Sequence, residues 1–383
     1  MIMIVSEEHF LIRDMARDFA NKELLPFAAQ WDAQAIFPAD TIKKMGQLGL
    51  MGMLVPEQWQ GSGADYLSYV IAIEEIAAGD GSCSTVMSVN NSVVCMSLVE
   101  YGNDQQKKQF LSPLASGNYL GAFALSEPQA GSDAANLMTT AVLAKDKYII
   151  NGVKQFITSG KNADITLVFA VTDKKAGKKG ISAFIVPTNT AGYQVAHIEK
   201  KMGQRASDTA QLVFDNLEVP VVNRLGNEGE GYKIALSQLE GGRLGIAAQC
   251  VGMARAAYKA ALQYAKERAT FGKHLIEHQT IAFRLADMAT QLEAARQLIW
   301  HAAMLKQAGK PCTQAVAMAK LFASEMAEKV CSDAIQIHGG YGYLQDFAVE
   351  RIYRDVRVAQ IYEGTSEMQR ILISRFLQEG KTC

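Results

Sequence analysis

Charge of one sign is what this chain lacks most: 38 basic residues face 39 acidic ones, for a formal charge of −1 over 383 positions. No electrostatic pull toward nucleic acid or anionic membrane follows, so any anionic ligand must be held by local groups. The six cysteines, Cys83, Cys95, Cys250, Cys312, Cys331 and Cys383, include no CxxC pair. That scatter argues against a disulfide frame or a thiolate zinc site and fits reduced thiols in a cytosol-like compartment. No stretch approaches the ~18 consecutive apolar residues of a membrane span. The opening Met1-Ile2-Met3-Ile4-Val5 is too short for a signal segment and runs straight into Ser6-Glu7-Glu8-His9, a helix-start pattern. The expectation is a cytoplasmic protein, or a matrix protein if this is a processed mitochondrial form.

Several chemical signatures are missing as well. No Walker loop and no nucleophile elbow occurs, and neither Gly226–Gly231 nor the run around Gly339-Gly340 follows a strand to open a dinucleotide-binding helix. His274-Leu275-Ile276-Glu277-His278 formally matches an HxxEH metal pattern. It follows a glycine stop, however, and the six histidines offer no third ligand cluster, so no metal is expected.

What is present is ordinary globular material, 49% hydrophobic and 20% charged, long enough for two or three domains. Residues 6 to about 117 show apolar positions at helical spacing. From 118 the texture changes to β-rich runs, including 165–171 and 181–187. Tyr148-Ile149-Ile150 and Val153–Ile157 flank Asn151-Gly152, a dipeptide that predicts a tight hairpin. Gln211–Phe214 before Asp215-Asn216 reads as a strand ending. Beyond about 230, four long amphipathic segments (232–268, 280–308, 315–337 and 365–377) predict an antiparallel bundle. The fold class is α+β, mainly α: an N-terminal helical domain at 1–117, a barrel-like or sandwich β domain at 118–228, and a C-terminal four-helix bundle at 229–383.

Candidate chemistry sits at the joints. Glu363, between Tyr362 and Gly364, is an acid in an apolar run with few side-chain counter-ions. Burial would favour its neutral form and raise its pKa, making it a base for a carbon acid near neutral pH; the plain alternative is an acid favouring a helix dipole. Phe123–Asp133 offers hydroxyls at Ser126 and Ser132 and a permissive backbone at Gly131, suited to a planar polar ligand or simply to a capped turn. Phe156 and Thr158 lie two apart, on one strand face by alternation. Arg268, in the run 267–273, can fork onto a diphosphate or merely end a helix.

Taken in order, SVNNS (88–92), FALSEPQAGSD (123–133), NGVKQFITSG (151–160), EGGRLGIAAQ (240–249), ERATFGK (267–273), EHQ (277–279), QIHGGYGYL (336–344) and IYEGTSE (361–367) resemble the acyl-CoA dehydrogenases. The resemblance spans nearly the whole chain. It implies the acyl-CoA dehydrogenase fold, non-covalent FAD, an acyl-CoA substrate, a homotetramer and an electron-transfer flavoprotein as partner. Glu363 matches the base, with Arg243 beside it and able to pair with the free carboxylate. Phe123, Leu125, Ser126, Gly131, Ser132, Phe156, Ile157 and Thr158 match the flavin-ring segments. Arg268, Thr270, Phe271, His278 and Gln279, with Gln336, Gly339 and Gly340 of a neighbouring subunit, match the ADP side; Thr365 and Glu367 complete the cofactor site. Ser132, Glu240, Arg243 and Gly364 match acyl-CoA contacts. In the family, the base's backbone N–H and the ribityl 2′-hydroxyl stabilise the thioester enolate while a β-hydride moves to flavin N5, leaving a trans-2-enoyl-CoA.

Two departures refine this. Some relatives carry the base directly before the arginine, where this chain has Gly242, so the late glutamate is favoured and Glu240 is the rival carboxylate. Position 156 is Phe where many relatives have Trp. The motifs lean toward short acyl chains, straight or branched (isobutyryl or 2-methylbutyryl). An acyl-CoA oxidase is disfavoured by the chain length, and a cofactor-free helical scaffold would purify colourless.

Overall fold

The computed structural model describes residues 5–380. The apolar Met1–Ile4 stretch and Cys383 lie outside them. The N-terminal part is helical, with α1 (Glu7–Phe19), α2 (Tyr66–Gly79) and α3 (Gly81–Ser88) as its main members. Asp65 and Asp80 start α2 and α3, accepting from the Ser68 and Cys83 amides at 2.7 and 2.8 Å, as N-caps do. Helical structure from Gly81 continues to Tyr101, long and apolar enough by length and composition to cross a membrane, with mean hydropathy 1.2. Some 89% of that window is buried inside the protein, so its composition is that of a core helix.

The middle part is an eight-stranded sheet: β1 (Gly121–Ala124), β2 (Thr140–Ala144), β3 (Lys147–Thr158), β4 (Ile165–Val171), β5 (Ile181–Pro187), β6 (Tyr193–Ile198), β7 (Thr209–Pro220) and β8 (Arg224–Leu225). Their order is β6-β7-β3-β2-β4-β5-β8, with β1 parallel to β4. Two expectations fail here. Asn151-Gly152 is not a hairpin tip, because β3 runs unbroken through it, and Asp215-Asn216 does not end β7. The two dipeptides lie near one another across the β3–β7 ladder at a register shift between Ile150 and Gly152. Asn216 takes φ +49°, and its amide donates to the Asn151 side chain at 2.7 Å. A bulge recruits the same positive-φ residues as a tight turn, which is why the dipeptides misled. The real hairpin joins β2 to β3 at Lys145-Asp146.

The C-terminal part holds α4 (Gly231–Glu267), α5 (Gln279–Gln307), α6 (Thr313–His338), α7 (Ala348–Val356) and α8 (Ser366–Gln378). Helices α4, α5 and α6 pack on one another, α8 sits on α6, and α2 lies along α4. One apolar core therefore runs from the N-terminal helices into the bundle. Charges stitch the same seam: Glu74 pairs with Arg255 and Arg296, and Glu75 with Arg17 and Arg255, at 2.7–3.0 Å. The Cβ that Gly245 lacks would fall 2.2 Å from Ser88 Oγ and 2.5 Å from the Tyr69 hydroxyl, so glycine there lets α2 and α3 close onto α4.

Candidate active site

A short loop between α7 and α8 carries Tyr362, Glu363 and Gly364. Glu363 and Gly364 both take left-handed conformations, φ +54° and +87°. For a glutamate that strain costs about 1–3 kcal/mol and persists only where the surroundings impose it. Four groups do. The Arg243 Nε donates to the Glu363 carbonyl at 3.2 Å. Lys320 Nζ and Gln369 Nε2 donate to the Gly364 carbonyl at 2.7 and 2.8 Å. The Tyr362 hydroxyl donates to the side chain of buried Gln249, whose amide nitrogen is tied to the Gly81 carbonyl at 2.7 Å. Helix α8 then starts at its N-cap Thr365, which accepts from the Met368 amide at 3.3 Å. Glu363 therefore precedes the helix rather than belonging to its first turn.

The carboxylate points back toward α4. Although Glu363 as a residue is only half-buried, its Oε2 is sealed from solvent and has no hydrogen-bond partner. Burial pushes its pKa above the ordinary carboxylate value, and the fields of Arg243 and Lys320 offset only part of that. The sequence reading had this acid short of counter-ions, with Arg243 pairing to its carboxylate. Instead two cations stand close, and each donates to a main-chain carbonyl; among the described residues the carboxylate forms no ion pair. It rests on Gly242, where a Cβ would lie 2.7 Å from Oε2. Position 242 and Glu363 thus compete for one space, consistent with a base being housed at one place or the other. Tyr69 is near enough for the Glu363 charge to add to burial in raising its phenol to about 12.

The rival carboxylate is otherwise engaged. Glu240 accepts from the Thr313 hydroxyl and lies 3.4 Å from Lys306 Nζ and 3.5 Å from Cys312 Sγ, tying α4 to the α5–α6 connection. A separate cavity of 290 Å³ behind α4, lined by Arg17, Asp80, Arg255, Arg351 and Asp355 among others, includes neither Glu363 nor Gly242.

The segments expected at a flavin ring meet where the loop after β1 crosses the end of β3. Phe123 packs on Phe169, ring centroids 4.7 Å apart. The Ser126 carbonyl accepts from the Gln155 amide at 2.9 Å, joining the 123–132 loop to the end of β3. Leu125 is buried, while Gly131 and Ser132 are exposed, with open space beside Gly131. Phe156 takes φ +61° at a second β3–β7 register shift and is 65% exposed, whereas Ile157 is buried and Thr158 half-buried. The simple alternation expected of Phe156 and Thr158 is broken by that shift. Sequence reasoning missed what holds this loop. Lys154, fully buried, donates to the Leu125 carbonyl at 3.0 Å and to Glu127 at 2.8 Å, and Glu127 accepts from the Met138 and Thr139 amides. Burial pulls the Lys154 pKa down to about 8, while the lysine's charge and hydrogen bond, with the Met138 and Thr139 bonds, outweigh burial to hold Glu127 at about 2.

The segments expected on the ADP side gather at one end of the bundle. Arg268 ends α4 with its guanidinium 5.9 Å from the Tyr341 ring centre, next to Gly339 and Gly340, which have open space around them. A two-stranded ribbon (Ala269–Thr270 with Lys273–His274) has the 96%-exposed Phe271 at its tip. His278 hydrogen-bonds the Thr270 carbonyl at 3.2 Å. The HxxEH residues form a short 3₁₀ turn and no helix face. Gln279 and Gln336 are exposed at the start of α5 and the end of α6, and Glu367 is exposed in the first turn of α8.

Three family profiles match the chain: the acyl-CoA dehydrogenase N-terminal domain at residues 6–118, the middle domain at 122–217 and the C-terminal domain at 229–378. An acyl-CoA dehydrogenase of Bacillus subtilis is 50% identical over 378 residues, spanning 99% of this chain and all of that one. The mitochondrial short-chain specific acyl-CoA dehydrogenase of Rattus norvegicus is 49% identical over 97% of this chain and 90% of its own. Among solved structures, butyryl-CoA dehydrogenase from Megasphaera elsdenii superposes with a TM-score of 0.97 at 43% identity, covering 99% of this chain and 100% of that one. A chain from work on the electron transferring flavoprotein of Acidaminococcus fermentans and flavin-based electron bifurcation also gives 0.97, at 48% identity and 98% and 99% coverage.

Proposed function

Since the chain belongs to the acyl-CoA dehydrogenase family, we propose that it oxidises a short-chain acyl-CoA thioester to the trans-2-enoyl-CoA, with Glu363 removing the α-proton. The observation that carries this reading is the Glu363 carboxylate resting on Gly242, with its Oε2 sealed from solvent and without a hydrogen-bond partner. A carboxylate with no donor of its own in a water-poor site is ready to take a proton from a weak carbon acid. Its raised pKa makes the carboxylate a stronger base, better matched to a weak carbon acid, and an acyl chain that expels more water would raise it further. The Glu363 N–H is assigned the role that the base's own amide has in the family, as one donor of an oxyanion hole for the thioester carbonyl.

The family is FAD-dependent, and the residues here fit that group. The exposed Phe156 beside the 123–132 loop makes an apolar shelf with N–H and O–H donors for a flat ring. Arg268 suits a diphosphate, and the open backbone at Gly339-Gly340 suits a close approach by the ADP portion held on a neighbouring subunit. Phe123, Leu125, Ser126, Gly131, Ser132, Phe156, Ile157 and Thr158 would hold the ring. Arg268, Thr270, Phe271, His278 and Gln279 would hold the ADP portion with Gln336, Gly339 and Gly340 of a neighbouring subunit, in a homotetramer; Thr365 and Glu367 would close the site. When bound, the flavin supplies the hydride acceptor. Ser132, Glu240, Arg243 and Gly364 are assigned to the thioester and its CoA. An electron-transfer flavoprotein is the proposed oxidant of the reduced enzyme, a reading supported by the Acidaminococcus neighbour.

The test is Glu363→Gln. The variant should purify yellow yet fail to bleach under anaerobic butyryl-CoA, while the parent bleaches. Bleaching at the parental rate would transfer the role to another carboxylate. A screen across straight and branched four- and five-carbon esters then ranks the substrates.

A further inference from the structure

Helix α6 turns a stripe of small and apolar residues into the core: Val316, Ala319, Ala323 and Ala327. At the same spacing stands Lys320, which is 0% exposed. An unpaired ammonium in a core is costly to bury, and a methionine would fill the same space without that cost. Among the described residues Lys320 forms no ion pair, and the partner its ammonium does have is the Gly364 carbonyl at 2.7 Å. The charged and titratable groups whose fields act on it are Cys250 and Arg243 on α4, Glu363 in the loop, and Glu367 on α8. We propose that Lys320 is a positioning residue for the α-proton abstraction: its ammonium pins the Gly364 carbonyl and so holds Glu363 in the left-handed conformation that lays its carboxylate on Gly242. The proposal rests on Glu363 being the base.

Two consequences separate this role from packing. The first is orientation. Gln369 donates to the same carbonyl at 2.8 Å, but it belongs to α8, which follows the loop; Lys320 is the donor that ties the loop to α6 in the bundle. Without it the Gly364 carbonyl is held only by the helix that follows it, and Arg243 on the Glu363 carbonyl is left as the bundle's direct grip on the main chain at the base. The second is charge. The Lys320 field favours the ionised Glu363, and burial brings the lysine's own pKa down to about 8. The charge is complete well below that pH and is lost as pH rises through it, so the anchor weakens on the alkaline side.

The experiment uses the flavin-loaded enzyme and follows anaerobic flavin reduction by butyryl-CoA across pH, for the parent, Lys320→Met and Lys320→Arg. Lys320→Met is expected to keep its flavin and its apparent KM within about threefold, while the limiting reduction rate drops roughly tenfold or more. Its acid limb should move to higher pH because the charge that favoured the carboxylate is gone. The fall of the parent's kcat/KM near pH 8 should be absent, and Lys320→Arg should recover most of the rate. A methionine variant with the parental rate and pH profile would overturn the proposal. So would loss of flavin or of the folded state in both variants, since the lysine would then be a structural member of the bundle. If the parent is not bleached the fault lies in the proposed substrate, and if Glu363→Gln still bleaches it lies in the assignment of the base.

Discussion

Replacing Gly242 by alanine should make the protein slightly more stable and much less active, a combination that few substitutions in a core can produce. The three atoms nearest to the added methyl all belong to the Glu363 carboxyl group, at 2.7, 3.0 and 3.2 Å. The obstruction is therefore the far end of a flexible side chain, and the helix itself need not move. Alanine in the interior of α4 gains about 1 kcal/mol over glycine in helix propensity. In a chain of this size that raises the melting point by roughly 1–2 °C. The carboxylate, however, must retreat by about 0.7 Å to reach ordinary contact distance. Proton transfer tolerates such a displacement poorly: a misplacement near 1 Å can cost roughly a hundredfold. A loss of about 30–100-fold, some 2–3 kcal/mol of barrier, is the expected outcome. Thermal melting of the flavin-loaded enzyme and stopped-flow flavin reduction by butyryl-CoA measure the two quantities side by side. A variant that reduces its flavin at the parental rate would refute the placement of the base over Gly242. One that loses rate and melting point together would show that the methyl disturbs the bundle and not the carboxylate alone.

Glu363→Gln carries a stability signature as well. The folded carboxyl titrates above its unfolded value, so as pH rises from about 4.5 the unfolded chain loses its proton first and folding is weakened until the folded group ionises too. The Gln variant should therefore melt above the parent at pH 8, with the gap closing toward about pH 4; an equal gap at both would deny the raised pKa. Lys154→Met should strand Glu127 in the core, cost about 3–5 kcal/mol in urea denaturation and loosen flavin binding through the Leu125 carbonyl. The double variant with Glu127→Gln should regain much of that, and a single variant as stable as the parent would deny the pair its structural role. Glu240→Gln should retain flavin reduction within about tenfold of the parent, because that carboxylate is occupied by Lys306 and Thr313; a dead variant would reopen the choice of base.

The long helices were legible because periodicity reports which face is buried, and in α4, α5, α6 and α8 nothing competes with that signal. Glu363 stood out as a candidate from its apolar neighbours, but an acid favouring the helix dipole fitted them as well, and it was the resemblance carried by the ordered motifs, with IYEGTSE among them, that favoured a base. The errors cluster where local chemistry has two solutions. Asn151-Gly152 supports positive φ whether the chain reverses or bulges, and only the β3–β7 register, set by a strand whose Asn216 lies 65 residues further along the chain, decides between them. Cation direction is another such case. Arg243 and Lys320 both stand near the base, and both cations give their hydrogen bonds to carbonyls rather than to the acid. Spacing can place a lysine on a buried stripe, as it does at Lys320 between Val316 and Ala323, and a charge in that position was itself a readable warning. It cannot say which oxygen the ammonium meets, and the chemistry depends on that. Had either cation closed onto the carboxylate, the pair would have neutralised the acid and lowered its pKa. By gripping the main chain they fix where Glu363 stands while leaving its proton-accepting oxygen free.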